Sequence, residues 1–166
     1  MMETAECKPY ERPWQDWAVD RNLDDQWLER LNNLEAFSLV SVCEGHLDVK
    51  LTSVKRCPCI ILRPKEAYIR PLTIHWYGLK EALAAEIERI WPGAETIVEF
   101  EIQHRLVKNV DPLEDREDII MRITSVRKRD AMTFPEWIDQ WFRQTLLRIE
   151  AFDQFMKTLI IIKGEQ

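Results

Sequence analysis

The stretch TIVEFEIQHRLV, residues 96–107, indicates the fold class, because one strand face would carry Val98, Phe100, Ile102, His104 and Leu106 and the other Glu99, Glu101, Gln103 and Arg105. Strict alternation is typical of a β-strand with one face buried and one face in solvent. Residues 118–128 alternate in the same way after a short polar connection. We therefore expect the two segments to form an antiparallel pair.

Helical periodicity marks the other large elements. Residues 134–157 carry aromatic and aliphatic side chains at a 3.6-residue period, and Thr133 with Glu136 before them has the spacing of a capping box. Residues 23–35 and 79–91 show the same period over shorter lengths. The sequence predicts an α+β fold, in which a mostly antiparallel sheet is covered by two or three helices, including a long C-terminal amphipathic helix.

Shorter apolar segments predict further strands. Residues 37–42 and 59–63 are apolar and rich in residues that favour strands. Residues 47–51 alternate and are interpreted as a return strand or an extended loop. Residues 69–76 contain Pro71, which lacks a backbone N–H group, so the sequence predicts an extended segment at a sheet edge.

The chain divides into two parts by pattern. Residues 1–21 have no clear period and contain Tyr10, Trp14 and Trp17 among charges. They are interpreted as a partly flexible N-terminal arm that packs through its aromatic rings rather than as a regular element. Residues 22–166 are expected to form a single α+β domain, a size that is sufficient for one core.

Composition limits the kinds of partner. The 166 residues include 23 Lys and Arg against 29 Asp and Glu, a formal net charge of −6, which makes nucleic acid an unlikely partner. No apolar leader segment and no apolar run long enough for a bilayer is present, so a cytoplasmic protein without a membrane association is expected. The four cysteines are then expected to be reduced thiols.

The segment SVCEGH, residues 41–46, concentrates reactive groups on a glycine-containing turn after a strand. Cys43, Glu44 and His46 are the candidate catalytic residues, since a thiol, a carboxyl group and an imidazole serve as nucleophile, acid or base. Ser41 and the backbone of Gly45 are candidate ligand-binding groups. The turn therefore predicts binding of a small molecule or anion, with or without catalysis.

Three residues elsewhere in the sequence are candidates for the same ligand site. Arg63 and Arg70 could provide counter-charge for an anion. His104 lies on the apolar face of residues 96–107 and would line a pocket under the long helix.

Zinc binding is an alternative interpretation of the turn. Cys43 and His46 have a C-x2-H spacing, and Cys57 and Cys59 follow as a C-x-C pair. Thiolate and imidazole are suitable zinc ligands, so these four residues could form a tetrahedral site.

A non-enzymatic interaction protein is the remaining alternative. Trp14, Trp17 and Trp76 lie in segments of low regularity, where exposed rings could anchor a protein partner. A homodimer is the expected arrangement if the chain associates with itself. The sequence contains no phosphate-binding loop, dinucleotide fingerprint or nucleophile elbow that would favour a particular enzyme class.

Overall fold

The described chain contains eight β-strands and four α-helices. The structure is a computed structural model that describes residues 7–47, 54–74, 76–93, 95–107, 114–126 and 133–164. The strands are β1 (Glu11–Trp14), β2 (Trp17–Asp20), β3 (Phe37–Cys43), β4 (His46–Leu47), β5 (Val54–Arg56), β6 (Cys59–Pro64), β7 (Thr96–Val107) and β8 (Glu114–Ser125). The helices are α1 (Asp25–Asn32), α2 (Glu66–Ile74), α3 (Trp76–Ile90) and α4 (Phe134–Gly164). Their order along the chain is β1-β2-α1-β3-β4-β5-β6-α2-α3-β7-β8-α4.

The main sheet has four antiparallel strands in the order β3-β6-β8-β7. Strands β7 and β8 pair from Thr96 opposite Ser125 to Val107 opposite Glu114, so the predicted antiparallel pair is confirmed. The smaller pairs are β1 with β2 and β4 with β5. Together with the long α4, this arrangement confirms the predicted α+β class.

Helix α4 supplies the aromatic surface that covers the sheet. The ring of Phe152 lies 6.0 Å from that of Phe37 in β3 and 6.1 Å from that of Phe100 in β7, which are the two edge strands. Phe152 also lies 6.0 Å from Trp91, just after α3. Burial of large apolar side chains of this kind is the main stabilising contribution to the fold.

The start of α4 has the predicted capping box. The Thr133 hydroxyl oxygen accepts a hydrogen bond from the backbone N–H of Glu136 at 3.3 Å, and the Glu136 carboxylate accepts one from the N–H of Thr133 at 3.2 Å. These bonds satisfy N–H groups that a helix start otherwise leaves open. Within the described residues, no helix combines the length and apolar character needed to cross a membrane.

The N-terminal segment contains a regular hairpin, so the prediction of an irregular arm over residues 1–21 is wrong for residues 11–20. Strands β1 and β2 pair from Glu11 opposite Asp20 to Trp14 opposite Trp17. Trp14 and Val19 are buried in the same core as the helices. Strands of four residues are too short to show a clear sequence period. Burial of Trp14 in the core stabilises the hairpin.

Residues 69–76 were predicted as an extended edge segment, and this prediction is wrong over 69–74, which belong to α2. Ile69 and Leu72 are both buried, and residues three apart share one face of a helix. The backbone N–H groups of Tyr68 and Ile69 donate to the carbonyl of Lys65, which begins the helical turn. Pro71 is tolerated because this tertiary burial outweighs its local preference.

A bulge in β3 changes which face of the sheet its last residues occupy. Leu39 lies opposite Leu62, but Ser41 lies opposite Ile61, so Val40 is an extra residue. A bulge of this kind reverses the alternation of side chains beyond it. As a result Cys43 lies on the face of the sheet away from the buried core.

The predicted return strand over residues 47–51 is only partly within the described chain. His46 lies opposite Arg56 and Leu47 opposite Val54, so a short hairpin pair does follow the turn. Residues 48–51 lie outside the described residues.

Candidate functional site

The turn after β3 brings a thiol and an imidazole into contact. Strand β3 ends at Cys43 and β4 begins at His46, with Gly45 at a φ of 87° between them. This left-handed conformation favours glycine, because a Cβ atom would be strained there. The chain therefore reverses sharply, and the Sγ of Cys43 lies 3.5 Å from the Nε2 of His46.

Asp20 joins this pair from the end of β2. Its side chain is buried, and its Oδ2 accepts a hydrogen bond from the backbone N–H of Glu44 at 2.9 Å. One ligand atom from each of Asp20, Cys43 and His46 lies within 4.8 Å of the other two. Among the residues that the structure describes, these three are the side chains that come close enough together to hold a metal ion. We call them the Asp–Cys–His cluster.

Two further contacts orient the cluster. The backbone N–H of Gly45 donates a hydrogen bond to the Sγ of Cys43, with 3.4 Å between the two atoms. The Tyr10 ring packs edge-on against the His46 ring at 5.4 Å between centroids. Both contacts hold the side chains in the orientation in which the cluster forms.

Glu44 lies beside the cluster with an altered acidity. Burial, and to a smaller extent the negative charge of Asp20, raises the pKa of its carboxyl group from 4.5 to about 7. Asn22 donates a hydrogen bond from Nδ2 to Oε1 of Glu44 at 3.3 Å, which opposes this shift. The Glu44 side chain faces a cleft of about 420 Å³ between the turn, α1 and the start of α4.

Cys43, Glu44, Gly45 and His46 lie together at the turn. Of the four predicted zinc ligands, the Asp–Cys–His cluster contains Cys43 and His46. Cys59 lies opposite Cys43 in the strand pairing, and its Sγ accepts a hydrogen bond from the Thr124 hydroxyl at 3.5 Å. The Cys57 thiol donates to the carbonyl of Val126 at 3.5 Å, and burial raises its pKa. Neither Cys57 nor Cys59 belongs to the Asp–Cys–His cluster.

The other predicted ligand-binding residues are placed at different distances from the turn. Ser41 is exposed in β3, opposite Ile61, and it lies two residues before Cys43 on the same face of the strand. Arg63 is at the far end of β6 from Cys59, about 13 Å along the strand, and pairs with Glu66 at 3.2 Å.

Arg70 belongs to α2, and His104 belongs to β7. Two strands, β6 and β8, separate β7 from β3, where the turn begins. Of the two arginines that were expected at the turn, Arg63 is the one whose side chain is described, and it lies away from the turn.

The tryptophans that were expected to be exposed differ from one another. Trp14 is buried with 7% exposure, so it is not part of a docking surface. Trp17 is half-buried against the core. The side chain of Trp76 lies outside the described residues.

Sequence reasoning missed Asp20 and Asn22 as members of the site. Asp20 follows the apolar pair Ala18-Val19, which is a weak indication of a strand end. Its role depends on a hydrogen bond to Glu44, a residue distant in sequence. A contact of this range has no local signal in a single sequence.

Comparison with known proteins adds no further constraint. No family model, no curated protein and no solved structure matches this chain significantly.

Proposed function

We propose that this protein binds a zinc ion through Asp20, Cys43 and His46, and that the fourth coordination position of the ion accepts water or a small ligand. The supporting observation is the approach of three different ligand atoms to within 4.8 Å of one another. Carboxylate, thiolate and imidazole are the three side-chain types that zinc binds most often.

The distances suit a tetrahedral ion. Sulfur and nitrogen ligands at about 2.3 and 2.1 Å from one zinc ion are about 3.6 Å apart. The Sγ of Cys43 and the Nε2 of His46 are already 3.5 Å apart. The Asp20 oxygen lies within 4.8 Å of both atoms, and ligands of one zinc ion are about 3.5 Å apart.

Charge also supports a bound cation. Asp20 is a buried carboxyl group, and it lies next to a thiol and to Glu44. Burial of acidic groups in one place costs free energy unless a proton or a cation compensates them. A divalent ion offsets the charges of the Asp20 carboxylate and the Cys43 thiolate.

Three protein ligands leave one position of a tetrahedral zinc ion for water or substrate, whereas structural zinc sites use four. This proposal makes Cys43 and His46 metal ligands. It replaces Cys57 and Cys59 of the predicted set by Asp20.

The test is a zinc titration of reduced, metal-free protein against a chromophoric chelator. We expect Cys43→Ser and His46→Ala to weaken zinc binding by more than the roughly 10- to 100-fold that is typical of a lost outer-shell partner. Cys57→Ser and Cys59→Ser are matched controls and should bind zinc as the unchanged protein does. Loss of binding in these two controls, or no binding by the unchanged protein, would contradict the proposal.

A second candidate function is covalent catalysis with Cys43 as nucleophile and His46 as its base. The 3.5 Å contact between the two side chains favours it. In metal-free protein, His46→Ala should then lower the rate at which iodoacetamide alkylates Cys43, with Cys59 as the internal reference. An unchanged rate would exclude the pair as a nucleophile and base.

A further inference from the structure

A second feature lies next to the turn and uses none of the three proposed zinc ligands. It is the cleft of about 420 Å³, a volume within the range of small-molecule sites. Its lining residues come from the β2–α1 connection, α1, the turn and the first part of α4. They are Asn22, Trp27, Glu44, Phe134, Pro135, Ile138 and Asp139.

The apolar part of the lining is held by packing. Trp27 stacks on Phe142 of α4 at 4.8 Å between ring centroids. Phe134 packs edge-on against Trp137 at 5.8 Å. Because buried rings support these side chains from behind, the apolar wall is largely formed before a ligand binds.

The polar part of the lining is acidic. Glu44 and Asp139 both contribute carboxyl groups, and no lysine or arginine is among the described lining residues. Arg143 pairs with Asp139 across one turn of α4, with Nε 2.8 Å from Oδ2. Asn22 directs its Nδ2 to Glu44, which leaves its carbonyl oxygen as an acceptor.

An anion would be poorly placed in this cleft, although α4 begins there. A helix start attracts anions through open N–H groups. The Thr133 hydroxyl already accepts from the N–H of Glu136 in the first turn. The two acidic side chains add a field that repels negative charge.

We propose that the cleft binds a small organic cation, a protonated primary amine attached to a flat apolar body. The ammonium group donates hydrogen bonds to the Glu44 side chain and to the side-chain amide oxygen of Asn22. Asp139 adds a longer-range attraction. The apolar body lies against Trp27 and Phe134. This site goes beyond the proposed zinc site and does not depend on it, because Asp20, Cys43 and His46 do not line the cleft.

The probe for this site is 2-phenylethylamine, with 3-phenylpropionate as a counterpart of opposite charge and similar size. Binding is followed by tryptophan fluorescence and calorimetry at pH 8 on the full chain, first with a chelator and then with zinc. We expect the amine to bind in both conditions and the carboxylate to bind at least about tenfold more weakly.

Variants of the acidic residues locate the site. Glu44→Gln should weaken amine binding about tenfold, and Asp139→Asn should weaken it severalfold. Arg143→Gln should strengthen it, because it removes a competing cation from Asp139. Asp16→Asn, an exposed acid in the β1–β2 turn, is the matched control and should leave binding unchanged.

Three results would overturn the proposal: no amine binding, equal binding of the carboxylate, or amine binding that neither Glu44→Gln nor Asp139→Asn reduces. Asp139 is half-exposed, so its variant provides a test even if Glu44→Gln fails to fold. Amine binding without zinc binding would support this site and reject the proposed function. Zinc binding without amine binding would support the proposed function and reject the amine site.

Discussion

Asp20 accepts a hydrogen bond from the backbone N–H of Glu44, with 2.9 Å between Oδ2 and the nitrogen. This bond connects the end of the β1–β2 hairpin to the turn after β3. Because the same carboxyl group lies within reach of Cys43 and His46, one residue serves both the local fold and the proposed zinc site.

The two roles of Asp20 separate by substitution. Asp20→Ala removes the acceptor for Glu44 and should lower the free energy of unfolding by about 1–3 kcal/mol. Asp20→Asn keeps an acceptor oxygen and should cost less, yet it should still weaken zinc binding because the charge is lost. Urea unfolding and zinc titration of both variants measure this difference. Equal zinc affinity in Asp20→Asn and the unchanged protein would show that Asp20 is not a ligand.

Zinc should stabilise the fold, because the three ligands converge only when the hairpin and the turn are in place. At a free zinc concentration of about 100 times the dissociation constant, the free energy of unfolding should rise by about 2.7 kcal/mol. Chemical unfolding with and without zinc measures this change. Asp20→Asn at the same zinc concentration should show a smaller rise, and an equal rise would place the ion elsewhere.

Asp153 stabilises the connection between α1 and β3. It is 2% exposed, and its carboxylate accepts hydrogen bonds from the backbone N–H groups of Glu35 at 3.1 Å and Ala36 at 2.8 Å. Asp153→Ala leaves these donors without that acceptor and should lower the free energy of unfolding by about 2–3 kcal/mol. Urea unfolding measures this loss, and Asp153→Asn should lose less. A variant as stable as the unchanged protein would contradict this role.

Phe152 is the central contact between α4 and the sheet. It is 1% exposed and packs against rings from both edge strands and from Trp91. Phe152→Ala should lower the free energy of unfolding by about 3–5 kcal/mol, as is typical of large core truncations. Leu147→Ala, at a position in the same helix that is 65% exposed, is the control and should cost less than about 0.5 kcal/mol. Similar losses for the two variants would contradict the packing described.

The parts of the fold that sequence predicted correctly are those with long periodic patterns. Strand β7 and helix α4 each bury one face continuously, so their patterns extend over many residues. The β1–β2 hairpin and α2 are short, and each is stabilised by burial that involves distant residues. Local patterns therefore indicated the wrong structure for residues 11–20 and 69–74.

The candidate site was only half visible in the sequence for the same reason. Cys43 and His46 are close along the chain, so their contact follows from the glycine turn between them. Asp20 reaches them only through tertiary folding. The bulge at Val40, which removes Cys43 from the core face, depends on the pairing of β3 with β6 and has no signal in β3 alone.

The most direct test of the central claim is the metal content of the protein purified without a metal-binding tag, measured by inductively coupled plasma mass spectrometry with a count of reactive thiols. The account predicts about one zinc ion per chain, with Cys43 protected from alkylation until a chelator is added and Cys57 and Cys59 unaffected by the chelator. Asp20→Asn should retain less zinc. Protein that holds no zinc after incubation with it, or zinc that protects Cys57 and Cys59 as well as Cys43, would contradict the Asp20–Cys43–His46 site.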